Sequence, residues 1–280
     1  MDNLMSKILK VSLALSVVYW LFLLFTNPVN DIYYNVFGFL LMALPLVGFA
    51  VGLTISKQWE GLKSKVGRSL IFVSLSLLMW FIGQSLYLFY SLKTGEVPFP
   101  GLPDYFFIFI DPFYAIALFW ILKYSGAISN MKRSWAHLAL LIIPLLSIYL
   151  NYKIFFSDIE FFKNIDASVT FDLIYTFGSI IVMSFVILTI ILSINKLGGK
   201  MKMALYYLFV GIIFQYIGDI AYSFFEANSS NILSITNNNT SNGTLPDLLF
   251  LISIGLIAIG LTKFDTKPLN NFKEQTNAIS

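Results

Sequence analysis

Eight runs of apolar residues, separated by short polar loops, constrain this chain more than any motif in it. Lipid offers a peptide group no hydrogen-bond partner, so a segment inside it must pair its own N–H and C=O groups as a helix or a closed barrel. A helical crossing takes about 20 mostly apolar residues, and the runs lack the period-2 alternation of barrel strands. The pattern predicts an all-α integral membrane protein with spans at 8–26, 33–55, 68–92, 105–123, 134–151, 170–195, 203–226 and 247–263. Composition agrees. Hydrophobic residues make up 58% of the 280 residues and charged residues 12%, about half the ~25% charge of a soluble domain.

The loops set the orientation. Of the 18 Lys and Arg residues, only Lys93, Lys153 and Lys163 fall on one side of the predicted spans, and the rest share the other. The positive-inside rule then predicts a multi-pass protein of the cell membrane with both termini cytoplasmic. An odd number of spans would scramble this segregation. Acidic residues gather on the opposite, outer side. The first apolar run is led by Lys7 and Lys10, but Thr26-Asn27-Pro28-Val29 is not a small-residue cleavage site, so the run reads as a span. The outer loop at 227–246 is Asn-rich, with N-x-[ST] sequons at Asn228, Asn238, Asn239 and Asn242. Residues 265–280 read as a cytoplasmic tail too short for a soluble output domain.

Residue counts exclude several chemistries. The chain has no cysteine and one histidine, which removes disulfides, thiolate metal sites, a cysteine nucleophile and any two-histidine metal motif. His137, beside Trp135, reads as an interfacial residue. No lysine lies deep in a span, so a retinal-type Schiff base is excluded. No cofactor and no nucleic-acid partner are predicted; the expected partners are the lipid bilayer and a membrane or cytoplasmic signalling protein.

The two halves repeat. Ile82-Gly83-Gln84-Ser85-Leu86-Tyr87 answers Ile217-Gly218-Asp219-Ile220-Ala221-Tyr222 at an offset of 135, and Leu102-Pro103-Asp104 answers Leu245-Pro246-Asp247 at 143. Asp31-Ile32-Tyr33-Tyr34 answers Asp172-Leu173-Ile174-Tyr175. The expected organisation is one four-helix repeat at 1–130, a second at 131–264, and the tail. Four is even, so the halves are parallel and their pseudo-axis runs along the membrane normal.

Polar residues fall on single helix faces. Gln215, Asp219, Tyr222 and Glu226 are spaced 4, 3 and 4 along the seventh span, one stripe of an α-helix. Trp80, Gln84, Tyr87 and Ser91 repeat that spacing in the third, and Asp104 and Asp111 share a face of the fourth. An acidic residue at a span centre costs about 2.5–3.5 kcal/mol on insertion scales. These stripes are therefore expected to face the bundle interior or a water-filled pocket. Pro112 should kink the fourth span. The candidate ligand-binding residues are Asp219, Asp111, Gln84, Gln215, Tyr87, Tyr222, Trp80, Glu226, Asp104, Asp247, Asp172 and Asp31. Asp104, Asp247, Asp31 and Asp172 have a second reading as carboxylates that cap helix starts.

The run from Trp80 to Phe119 resembles the multi-helix membrane sensor domain found ahead of GGDEF diguanylate cyclases and some histidine kinases. Trp80, Gly83-Gln84, Tyr87 and Pro98-Phe99-Pro100-Gly101-Leu102-Pro103-Asp104 carry the resemblance, together with the aromatic stretch that follows. Gln84 stands where that pattern prefers an acid, and no catalytic or kinase domain follows. The resemblance implies a sensory module that binds a small ligand and signals through a partner, without enzymatic activity of its own. Three other classes fit the residues. One is a proton- or cation-coupled transporter using Asp111 and Asp219. Another is a structural subunit of a membrane complex. The last is an intramembrane hydrolase, for which Gly218-Asp219 and Asp172 resemble aspartyl intramembrane proteases. That motif is incomplete: Tyr216 replaces its first glycine, Phe171 precedes Asp172, and no Pro-Ala-Leu follows. The resemblance to eight-helix lysoplasmalogenase-like proteins is equally loose.

Overall fold

The computed structural model describes residues 4–95, 97–125, 142, 144–146, 148–149, 167–193, 199–227 and 242–265. Among them there is no strand. The helices are α1 (Leu4–Thr26), α2 (Ile32–Gln58), α3 (Lys65–Thr94), α4 (Asp104–Phe107), α5 (Ile110–Tyr124), α6 (Ala167–Ser193), α7 (Gly199–Ala227) and α8 (Leu245–Thr262). With α4 and α5 counted as one crossing, seven described segments are long and apolar enough to cross a membrane. The chain is a multi-pass helical membrane protein. The expected span at 134–151 lies largely outside the described residues.

Helix limits follow local chemistry. Ser64 caps α3, its hydroxyl accepting from the Gly67 N–H at 2.9 Å, and Gly95 ends that helix at φ 76°, a left-handed conformation that favours glycine. The fourth span is broken one turn earlier than the expected kink. Pro112 has no N–H to offer the Ile108 carbonyl and its ring crowds that group. The helix therefore stops at Phe107 and restarts at Ile110. Pro112 then sits in the first turn of α5, where a missing N–H costs little.

Small residues let the helices approach. α3 packs on α2 and α5, while α8 packs on α7, α2 and α1; α6 leans on α5 and, less extensively, on α7. Gly48 and Gly52 lie one turn apart on the face of α2 between α3 and α8. A Cβ at Gly48 would meet Leu77 at 2.7 Å and Ala258 at 3.1 Å, and one at Gly52 would run into the Ser74 hydroxyl and reach Leu261 at 3.0 Å. Lipid tails are as apolar as leucine, so close van der Waals fit of this kind is what holds membrane helices together.

Two tryptophans tie the ends. Trp20 of α1 donates from Nε1 to the Gly243 and Thr244 carbonyls at 3.1 Å each, and Trp59 donates to the Phe264 carbonyl at 2.9 Å. The Trp59 end carries Lys57, Lys63, Lys65, Arg68, Lys123 and Lys263, and the Arg68 guanidinium lies 4.5 Å over the Trp120 ring. At the other end Asn242 is buried at 1% exposure, its Nδ2 directed at Ser91 Oγ 3.4 Å away. Burial on that scale leaves no room for a glycan, so the Asn242 sequon is not an acceptor in the folded protein. The sequons at Asn228, Asn238 and Asn239 lie outside the described residues.

Gly52→Ala is expected to lower stability by about 1–3 kcal/mol, the usual cost of overpacking. Ser74→Ala in the same molecule should recover part of it. Thermal unfolding of the purified protein in detergent, single against double variant, checks both.

Candidate functional site

The end of the bundle opposite the lysine-rich one encloses a cavity of about 190 Å³. Its position follows from helix direction. The C-terminal halves of α3 and α7 reach it from below, and the starts of α4, α5, α6 and α8 meet them. Val97, Pro98 and Phe99, in the loop after α3, complete the wall.

Ten of the twelve expected residues line this cavity: Trp80, Gln84 and Tyr87 from α3, Asp104 and Asp111 from the broken fourth span, Asp172 from α6, Gln215, Asp219 and Tyr222 from α7, and Asp247 from α8. The helical stripes are the reason. Residues three and four apart stack on one face, and the polar face of each helix turns inward. The other two expected residues are placed differently. Asp31 is exposed ahead of α2 and is not part of the lining; the α2 residue that reaches the cavity is Leu41, deeper in the bundle. The Glu226 side chain lies outside the described residues.

The aromatic floor is built on two glycines. Trp80 is buried, with its ring centroid 5.2 Å from Phe107 and 5.1 Å from Phe250. Those phenylalanines lie flat where a Cβ would otherwise project: one added to Gly83 would strike the Phe107 ring, and one added to Gly218 the Phe250 ring. The Trp80 Nε1 points to Gln215 Oε1 across 3.5 Å.

The carboxylates divide into two kinds. Asp104 and Asp247 serve the helix starts. Asp104 Oδ2 accepts the Gly101 N–H at 2.7 Å and its Oδ1 accepts from the Tyr175 hydroxyl at 3.0 Å. Asp247 Oδ2 accepts the N–H and the hydroxyl of Thr244 at 2.8 Å each, closing a capping box in which Thr244 is the cap. The capping reading holds for Asp247 as the partner in that box; Asp104 instead ties down the loop N–H of Gly101, three residues upstream, and the cap position of α4 is Pro103. That reading fails for the other pair. Asp31 makes no side-chain cap bond, and Asn30 Oδ1 accepts the Ile32 N–H instead. Asp172 sits in the second turn of α6, past the unpaired N–H groups of the helix start.

Asp111 and Asp219 are the second kind. Ser179 of α6 donates to Asp219 Oδ2 at 3.0 Å and lies 3.4 Å from Asp111 Oδ2. One hydroxyl has one proton, so it donates to only one of the two carboxyls at a time. α6 comes this close because Gly178 has no side chain; a Cβ there would meet Asp111 Oδ2 at 2.6 Å. Asp111 also lies in the first turn of α5, where the helix dipole favours negative charge. Gln84 completes the site: it is 4% exposed and its Nε2 has no hydrogen-bond partner among the described residues.

Sequence reasoning missed Tyr175 and Ser179. The signal was there, since Asp172, Tyr175 and Ser179 are spaced 3 and 4, the same stripe rule that marked α7. Among the described residues no group of three or more His, Cys, Asp or Glu is arranged to hold a metal ion. No family model, no curated protein and no solved structure matches the chain.

Ser179→Ala is expected to destabilise the fold, because it removes the donor shared by the two carboxyls. Asp111→Asn should then cost less in the Ser179→Ala background than in the wild type, with a coupling of about 0.5–3 kcal/mol. A double-mutant cycle on thermal stability measures it; additive effects would show that the hydroxyl does not couple the pair.

Proposed function

We propose that this protein is a receptor-like membrane module that binds a small ligand in an outward-facing cavity and passes the signal to a partner. The observation that carries the reading is the cavity itself. It holds two carboxyls bridged by one hydroxyl and a buried amide whose Nε2 has no partner among the described residues, beside an aromatic floor. Buried polar groups are normally satisfied, and a cavity that leaves the Gln84 amide open is suited to an occupant. The resemblance of Trp80–Phe119 to membrane sensor domains points the same way, with Gly83-Gln84, Tyr87 and Asp104 at or beside the cavity wall.

In this reading the bundle has eight spans in two parallel four-helix repeats, and the cavity lies on their pseudo-axis. Several contacts support it. Trp80 and Gln215, which the offset of 135 makes equivalent, meet each other, as exchanged residues do only near a two-fold axis. Trp80 is almost equally distant from Phe107 and Phe250, which the offset of 143 pairs. Gly83 packs on Phe107 as Gly218 packs on Phe250. Asp104 anchors Gly101 as Asp247 anchors Thr244. Finally, α2 packs on α8 and α6 on α5, so the second helix of each half rests on the fourth of the other. The basic end is cytoplasmic by the positive-inside rule, which puts the cavity mouth outside and both termini inside.

A second reading, a proton- or cation-coupled transporter, has one observation in its favour: the Asp111–Asp219 pair sits deep in the bundle, where intramembrane carboxyls commonly mark ion paths. Flux into proteoliposomes that is lost in Asp111→Asn and Asp219→Asn would select it.

The chain lacks cysteine and so is ready for accessibility mapping. Single variants Gln84→Cys, Asp111→Cys, Gln215→Cys and Asp219→Cys are expected to react with a membrane-impermeant thiol reagent added outside intact cells. Silence at all four, with outer-loop controls labelled, would turn the cavity into a closed polar seam and sink the receptor reading.

A further inference from the structure

We infer that the ligand of this cavity is a small organic ammonium ion carrying a hydrogen-bond acceptor, held by Asp111 and Asp219 against the aromatic floor. The inference rests on the receptor reading and narrows it to a chemical class.

Charge is the first argument. Among the described residues the lining contains five aspartates and no Lys, Arg or His. An anionic ligand would meet only repulsion in a low-dielectric space where Coulomb forces are least screened. Asp104 and Asp247 are engaged by the Gly101 and Thr244 N–H groups, which leaves Asp172 and, as the deep acidic pair, the Ser179-bridged Asp111 and Asp219. A bare metal ion is a poor fit, because the described carboxylates do not converge in a group of three and a hard cation takes six or more oxygen ligands.

The walls supply the second argument. Trp80, Phe107 and Phe250 form a contiguous aromatic surface, and Tyr87, Tyr175 and Tyr222 also line the space. Ring faces attract ammonium groups, most strongly where water is excluded. Carboxylates beside aromatic faces match an alkylammonium, which is charged yet covered in C–H groups, better than a hydrated inorganic cation.

Gln84 is the third, independent observation. It lines the cavity at 4% exposure, with Nε2 lacking a partner among the described residues. A donor left open in that way suits an acceptor oxygen on the ligand. In the repeat, Gln84 is the counterpart of Asp219. At that matched position one half thus presents a carboxyl and the other a neutral donor, and a ligand with a cationic end and an oxygen end has one preferred orientation. Ethanolamine-like and choline-like molecules have this form. So do the headgroups of aminophospholipids, and the shared element is an ammonium with an oxygen two carbons away.

The test uses the full-length protein. In detergent, choline is expected to raise the thermal midpoint in a saturable way, while its uncharged isostere 3,3-dimethylbutan-1-ol should not. Asp111→Asn and Asp219→Asn should weaken choline binding by about tenfold or more, as loss of a charge-assisted contact does. Gln84→Met should weaken choline but leave tetramethylammonium, which has no oxygen, unchanged. Equal binding of choline and its neutral isostere by the wild type would overturn the inference even if a carboxyl variant failed to fold. So would unaltered choline binding in both aspartate variants.

Nanodiscs separate the two sources. Labelling of Gln215→Cys that is blocked in phosphatidylcholine or phosphatidylethanolamine bilayers, but open in phosphatidylglycerol, identifies a lipid headgroup. Labelling in phosphatidylglycerol that choline then blocks identifies a free amine. Labelling from outside that no ammonium compound protects, but a neutral or anionic one does, would overturn the ammonium class and leave the receptor reading standing. Absence of any outside labelling would remove both.

Discussion

A carboxyl group inside a helical bundle in lipid can find hydrogen-bond donors only on neighbouring helices, the loops between them or enclosed water, and this limit organises the outer end of the protein. Helix backbones there have already used their N–H groups. The donors that remain are side-chain hydroxyls and amides and the free N–H groups of helix starts. Asp104 takes the loop N–H of Gly101 and Asp247 the N–H of the cap residue Thr244, and in doing so both fix how the loops after α3 and α7 turn back into the bundle. Asp111 and Asp219 share the single Ser179 hydroxyl. Once Asp104 and Asp247 have used those N–H groups, the deep pair and Gln84 are left to define the polar face of the cavity.

Glycine decides how much space surrounds those groups. Gly48 and Gly52 draw α2 in against α3 and α8, Gly178 admits α6 to the Asp111 carboxyl, and Gly83 and Gly218 let phenylalanine rings lie against helix backbones. The first set closes the bundle. The last pair clears a flat surface within it, so the cavity is a place where close packing has been displaced by about one aromatic layer rather than a defect in the packing. Trp80 between the two rings keeps that layer from collapsing.

Much of this was legible in the residues, because a membrane helix has only two kinds of face. Spans follow from hydropathy, and a polar stripe at intervals of 3 and 4 must turn inward, so Gln84, Asp219 and Gln215 could be assigned to the interior without coordinates. Asp31 illustrates the limit. It matches Asp172 in the aligned segments, yet Asp172 lies within α6, more than a turn past Ala167, while α2 begins one residue after Asp31. A difference in where a helix starts moves a side chain from lining to surface, and that is set by loop chemistry that hydropathy does not register. The interruption at Ile108–Phe109 is similar: proline signalled a disturbance, but the carbonyl it crowds lies four residues upstream. The contribution of Val97–Phe99 to the wall comes from the path of a loop, which no periodicity encodes.

The described helices also differ in length. α3 has 30 residues and α8 has 18, about 45 Å and 27 Å at 1.5 Å per residue, beside a hydrocarbon layer of about 30 Å. α3 has length to spare and takes up a thicker bilayer by standing more upright. α8 has none, but protein rather than lipid surrounds most of it, because α7, α2 and α1 pack along it and no large apolar side chain on it is exposed. One of those ends carries Asp247 and, a turn further in, Phe250. The helices around α8 therefore stand between the bilayer and the residues that shape the cavity, and its dimensions are a property of their packing.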